Sequence, residues 1–238
     1  MSSAARSSRT SEAARRLRDF ASEERAAVNR RFFKTGAGQY GEGDEFLGVS
    51  VPNLRTVVRE FRSLTRDELL PLLHSKWHEE RLLAVVILTE QYKRGDRDAI
   101  YALYLANTKF INNWDLVDTS APQIVGAHLF ERSLAPLRKL AKSKSLWERR
   151  IAIIATQHFI RQGDFDETLS LAALLLRDRE DLIHKAVGWM LREVGNRDRA
   201  RLLAFLDEHA TSMPRTMLRY AIEKFPEELR KAYLSSRA

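Results

Sequence analysis

Glu80-Arg81-Leu82-Leu83-Ala84-Val85-Val86, running into Gly95-Asp96-Arg97-Asp98, comes back as Glu148-Arg149-Arg150-Ile151-Ala152-Ile153-Ile154 running into Gly163-Asp164-Phe165-Asp166. The offset is 68 residues in both parts of the match, and a third copy ends at Gly195-Asn196-Arg197-Asp198, 32 residues after Gly163. Half of 68 is 34, which places a divergent copy near Trp114. Each unit reads as a long helix, a Gly or polar turn and a second helix. A period of this size belongs to stacked helix pairs, in which no single unit can bury its apolar face alone. The spacing of small and aromatic residues in tetratricopeptide repeats is absent, so a HEAT-like stack fits better. Such an array brings Arg81, Trp114 to Asp118, Glu148 to Arg150 and Lys185 to Arg192 into register along one concave surface.

The remainder of the chain agrees with an all-α protein. Apolar residues recur at three- and four-residue spacing, with few of the alternations that mark strands. Capping residues and prolines predict helices over 12–20, 23–33, 52–61, 67–74, 78–93, 98–108, 113–132, 136–142, 146–162, 166–177, 181–194, 198–209, 214–225 and 226–234. No break in composition divides the chain. The expectation is a short disordered basic tail over 1–10 and a single curved domain over 11–238.

The charge balance bears on partners. With 40 Lys+Arg against 32 Asp+Glu, the net charge is +8, which favours polyanions: nucleic acid, or an acidic membrane surface. No apolar run is long enough to span a bilayer, and the N-terminus has no apolar secretory segment. An intracellular, cytoplasmic location follows as an expectation. The chain has no cysteine, which excludes disulfides, thiolate nucleophiles and Cys-based zinc sites.

Several site types fit poorly. The segment 35–52 holds five of the ten glycines, but Gly36-Ala37-Gly38 precedes acidic Glu42, Asp44 and Glu45 and no GK[ST], so it is a connector rather than a phosphate loop. It ends at Ser50, a helix cap, with Pro52 in the first turn. His74 and His78 are four apart beside Glu79 and Glu80 yet lack the HExxH order, and solvated or capping histidines are the simpler reading. There is no GxSxG and no strand to carry one. Neither metal nor cofactor is expected.

Asn112-Asn113-Trp114-Asp115-Leu116-Val117-Asp118 is the stretch with chemistry. Trp114 and Asp118, four apart on a helix, share a face. An indole beside a carboxylate receives a cation, although Asn and Asp also begin ordinary helices. Arg150 and Trp189, with Arg192 three residues on, lie on later helices of the same kind. Two indoles, a carboxylate and several guanidiniums suit a ligand with a cationic aromatic part and an anionic backbone. Alkylated DNA is such a ligand.

Trp114-Asp115-Leu116-Val117-Asp118, Trp147-Glu148-Arg149-Arg150 and Lys185-Ala186-Val187-Gly188-Trp189-Met190-Leu191-Arg192-Glu193, in this order on HEAT-like helices, resemble the AlkD-type DNA alkylation repair glycosylases. Phe46-Leu47-Gly48-Val49 with Pro52 and Arg55 resembles the segment near their N-terminus. The resemblance implies base-excision repair by hydrolysis of the N-glycosidic bond of positively charged N3- or N7-alkylated purines in duplex DNA. It implies that Trp114 and Trp189 pack against the lesion's deoxyribose, that Asp118 stabilises the developing sugar cation and orients water, and that Arg150 contacts the DNA backbone. Arg149, Arg192, Lys185 and Phe32 complete the DNA-binding set. Phe32 stands where well-known members have a tyrosine, and the Gly-rich segment 35–44 is longer than in the simplest members. A chain of this kind can act as a monomer. Two other readings stay open: a non-catalytic binder of damaged or branched DNA, and a protein-interaction solenoid.

Overall fold

The computed structural model describes the backbone of residues 3–235 and the side chains of residues 9–235. Among the described residues the ordered elements are helices, with no strand. None of these helices is long and apolar enough to cross a membrane. Packing divides the chain into two compact units, Met1–Ser120 and Ala121–Ala238.

The first unit holds α1 (Ser3–Arg18), α2 (Glu23–Phe32), α3 (Val51–Phe61), α4 (Arg66–Leu73), α5 (His78–Tyr92), α6 (Arg97–Ala106) and α7 (Trp114–Ala121). The expected tail over 1–10 is helical from Ser3; Met1 and Ser2 lie outside the described residues. Ser/Ala/Arg composition without Gly or Pro lets α1 extend upstream, and long-range contacts hold it there. Arg9 pairs with Glu68, and the Thr10 hydroxyl donates to the Glu68 carbonyl at 2.9 Å. Ala13, Ala14 and Leu17 are buried.

Side-chain caps set the helix starts: Ser22, Ser50 and Asp96 each accept from an amide three residues on, and Thr65 with Glu68 forms a reciprocal capping box. Helix α5 is buried on most of its circumference, including Leu83, Ala84, Val85, Ile87 and Leu88. It is the central helix of this unit.

The connector before α3 is fixed by α5. Both carboxylate oxygens of buried Glu79 are used: Oε2 accepts from the Leu47 amide at 2.9 Å, and Oε1 from those of Gly48 and Val49 at 2.8 and 3.2 Å. Gly48 has φ +77°, and a Cβ there would meet the Ser22 carbonyl at 2.1 Å. Only glycine permits this backbone to lie against the start of α2.

The second unit begins with a π turn (Pro122–Gly126), then α8 (Ala127–Leu129), α9 (Ala135–Ala141), α10 (Leu146–Ala155), α11 (Gln157–Arg161), α12 (Asp166–Leu174) with a 3-10 turn (Leu175–Arg177), α13 (Asp181–Gly195), α14 (Arg199–His209), α15 (Arg215–Ala221) and α16 (Glu227–Ser235). The single helices expected over 113–132 and 146–162 are both interrupted. Pro122 has no N–H for a ladder bond, and the backbone widens into the π turn that follows. At Thr156 the hydroxyl donates to the Ile153 carbonyl at 2.7 Å and separates α10 from α11. Ile151, Ala152, Ile153, Ile154 and Ala155 are all fully buried, which makes α10 the core of this unit. Helices α13 and α15 touch at Gly188, where a Cβ would sit 2.5 Å from both the Met217 carbonyl and the Tyr220 Cβ.

Candidate functional site

Helix α7 starts with the indole and the acids. Asn113 is fully buried; its Oδ1 accepts from the Trp114 amide at 2.8 Å, and its carbonyl accepts from the Val117 amide at 3.1 Å. Trp114 is half-buried and packs on a small cluster of Ala26, Phe33 and Phe46. Its ring stacks on Phe33 at 5.3 Å between centroids and 15° between planes, and meets the edge of Phe32 at 5.9 Å and 74°. Phe32 is 62% exposed. An aromatic shelf with an exposed outer ring is therefore built at the end of α2.

Asp118 lies one turn beyond Trp114 and is also half-buried. Behind this helix the Tyr104 hydroxyl and Ser120 Oγ are 2.8 Å apart, and Ser120 Oγ donates to the Leu116 carbonyl at 2.6 Å. Burial, with the Asp118 charge adding to it, pushes the Tyr104 phenol above its ordinary range. Tyr104 thus stays neutral as a rigid backing to the turn that carries Asp118.

Beneath Trp114 lies a charged cluster that the sequence reading did not foresee. Asp44, buried at the end of the Gly-rich connector, accepts from Arg81 Nη2 at 2.6 Å, Asn113 Nδ2 at 3.0 Å and His78 Nδ1 at 3.2 Å. Burial raises the Asp44 pKa, but these hydrogen bonds and the Arg81 charge outweigh it and hold the carboxyl below its usual value. His78 Nε2 lies 2.8 Å from Asp115 Oδ2. His78 is neither solvated nor a cap; it is buried between two acids. His74 turns elsewhere, with Nε2 2.7 Å from Asn107 Oδ1 and its ring stacked on Phe110. The pair does not converge on a metal position.

The second unit carries the other candidates, and each of its charged ones has a partner. Arg149 Nε donates to Asp178 Oδ2 at 2.6 Å, and Nη1 donates to the carbonyls of Ser143 and Lys144 at 3.0 Å each. Arg81 does the same in the first unit, donating from Nη1 to the carbonyls of Ser75 and Lys76 at 2.9 and 3.1 Å. The repeat seen in sequence is a repeated arginine clamp. Arg150 is 5% exposed, and its Nη1 donates to the Leu182 carbonyl at 2.6 Å. Trp189 is half-buried on α13. Lys185 pairs with Asp181 at 2.9 Å, and Arg192 pairs with Glu223.

The predicted residues thus separate by unit. Phe32, Trp114 and Asp118 belong to the first and share the shelf and its helix; Arg149, Arg150, Lys185, Trp189 and Arg192 belong to the second. What sequence reasoning missed is Asp44, His78, Asn113 and Asp115 as one network. The only signals were Asn113 and Asp115 flanking Trp114, Asp44 in the Gly-rich connector and one histidine beside Glu79-Glu80.

A family model described as DNA alkylation repair enzyme matches residues 13–225. Among solved structures, a predicted DNA alkylation repair enzyme from Enterococcus faecalis is similar at 16% identity and a TM-score of 0.67, over 86% of this chain and 96% of that one. At that identity the likeness is one of fold. No curated protein matches the chain by sequence.

Proposed function

The chain belongs to the DNA alkylation repair enzyme family, and from that premise we propose that it is a DNA glycosylase releasing positively charged N3- or N7-alkylated purines from duplex DNA. The observation that carries the reading is the pairing on α7 of an indole held by Phe33 with a carboxylate one turn on. A pure DNA binder needs cations but has no use for that carboxylate.

The chemistry suits these residues. An alkylated purine already bears the charge that makes it a leaving group, so cleavage of the N-glycosidic bond needs no strong acid. The electron pair leaves with the base, and the sugar carries oxocarbenium character until water adds at C1′. In this reading Asp118 opposes that charge and orients the water, and Trp114 lays its face against the deoxyribose. Trp189 is assigned the second deoxyribose contact on the resemblance alone. The same holds for the DNA contacts of Arg150, Arg192 and Lys185, while Phe32 offers its exposed ring; Arg149, expected among them, is instead committed to Asp178 and two backbone carbonyls. The chain works as one monomeric domain over 11–238, and it binds duplex DNA through phosphate contacts.

Base release from a duplex carrying one N7-methylguanine tests the assignment. Asp118→Asn is expected to lose on the order of a hundredfold in rate, and Trp114→Ala at least about tenfold. Equal rates for the wild type and Asp118→Asn contradict it.

A further inference from the structure

His78 is the first residue of α5, and its ring has a carboxylate at each nitrogen: Asp44 Oδ2 at 3.2 Å from Nδ1 and Asp115 Oδ2 at 2.8 Å from Nε2. A neutral imidazole has one N–H and one lone pair, so it can donate to only one of these acids. Its bare nitrogen would then face the lone pairs of the other. An imidazolium donates to both. The charges lead the same way: Asp44 already has Arg81 at 2.6 Å, and Asp115 gains a cation only if His78 is protonated. The side chain is 2% exposed, so solvent does little to screen the mismatch.

Two paths run from this ring to Trp114. In the first, Asp115 is the next residue along α7, and Asp44 accepts from Asn113, whose own Oδ1 accepts from the Trp114 amide. The second is aromatic: the His78 ring stacks on Phe46 at 4.6 Å and lies 5.0 Å from Phe33, and Phe33 stacks on Trp114.

We propose that His78, as an imidazolium shared between Asp44 and Asp115, is a positioning residue that sets the Trp114 indole and the first turn of α7, and that loss of its proton releases them. Its link to catalysis rests on the reading of Trp114 and Asp118 as the reactive pair.

The charged groups around the ring are Asp44 from the connector, Asp115 from α7 and Arg81 from its own helix; the C-cap of α2 and the connector add the rings of Phe33 and Phe46. Burial pulls the pKa down, but the Asp115 charge and the hydrogen bonds to Asp115 and Asp44, opposed by Arg81, raise it to about 9. A folded pKa above the free value of 6.5 means that the link is complete below that value and is lost as pH rises through about 9.

The test is a proton titration of the full chain with labelled histidine and tryptophan, followed by NMR from about pH 6 to about pH 10. The expected result is a His78 midpoint near 9 with the Trp114 indole signal moving at the same midpoint. In Asp115→Asn both midpoints fall by about one unit or more, since the largest attraction is gone. In His78→Gln the Trp114 signal stops responding to pH. If His78→Gln does not fold, the wild type and Asp115→Asn decide between the outcomes. A ring titrating near its free value, or an indole indifferent to the His78 midpoint, overturns the proposal.

Base release from the N7-methylguanine duplex, read in the same samples, is expected to fall in kcat rather than rise in KM across the His78 midpoint, and release unchanged through it also overturns the proposal. Wild type that releases no base at any pH overturns the glycosylase reading alone, because the coupled titration supports the positioning role by itself.

Discussion

Arg149 sits in one of the motifs that carry the family resemblance, yet its guanidinium is committed to Asp178 and two backbone carbonyls, and its side chain is only 15% exposed. Arg81 makes the same clamp on the carbonyls of Ser75 and Lys76, with Asp44 as its acid. The planar fork of arginine is what allows one side chain to satisfy two carbonyls and a carboxylate at once. Arg149→Ala is therefore expected to destabilise the protein by about 3 kcal/mol, because Asp178 is left buried without a cation. Urea unfolding checks this; an unchanged midpoint together with weakened DNA binding would make Arg149 a DNA contact instead. The repeat of Glu-Arg followed by apolar residues was visible in sequence. That its arginine is structural was not, since the acids it meets come from distant loops. His78 was hidden for the same reason: Asp44 is 34 residues before it and Asp115 is 37 after it, and neither spacing is a pattern of helix or strand.

At the scale of elements, helix starts were readable at Ser22 and Ser50, where a side chain caps its own helix, whereas the caps Thr65 and Asp96 start α4 and α6 one residue ahead of the expected starts. They were readable also where proline opens a helix, as Pro52 and Pro136 do. Helix interiors were less legible. The breaks at Pro122 and Thr156 depend on a missing N–H and a back-bonding hydroxyl, which leave the apolar spacing on both sides unchanged. Gly188, inside the segment Lys185 to Glu193, has a packing reason that the sequence does not state: α13 lies against the Met217 carbonyl and Tyr220. Gly188→Ala gains up to about 1 kcal/mol of helix propensity but forces apart a contact that leaves no room for a methyl, at a cost of about 1–3 kcal/mol. The net expectation is a loss of roughly 1–2 kcal/mol, read as a lower thermal midpoint. A variant as stable as the wild type would mean that α13 and α15 separate without cost.

At the scale of the molecule, a net charge of +8 on a member of a DNA alkylation repair enzyme family points to a salt-dependent grip on DNA. Duplex affinity is expected to fall about tenfold or more between roughly 50 and 200 mM salt as counterions are exchanged. Affinity indifferent to salt over that range would argue against phosphate contacts as its source. The all-α class and the repeat were legible because periodicity is a property of the chain itself. The placement of the pair proposed as reactive was legible in part: Trp114 and Asp118 are one turn apart in any helix. Their support by Phe33, Phe46 and the buried acids required the fold. The central claim is that the Asp118 carboxylate drives excision rather than binding. Single-turnover release of N7-methylguanine by wild type and Asp118→Asn, with duplex affinity measured on the same preparations, tests it most directly. The account predicts release by the wild type, a loss on the order of a hundredfold in the variant, and near-equal affinity for both. Tight, salt-dependent binding by both proteins with no base released by either would contradict it.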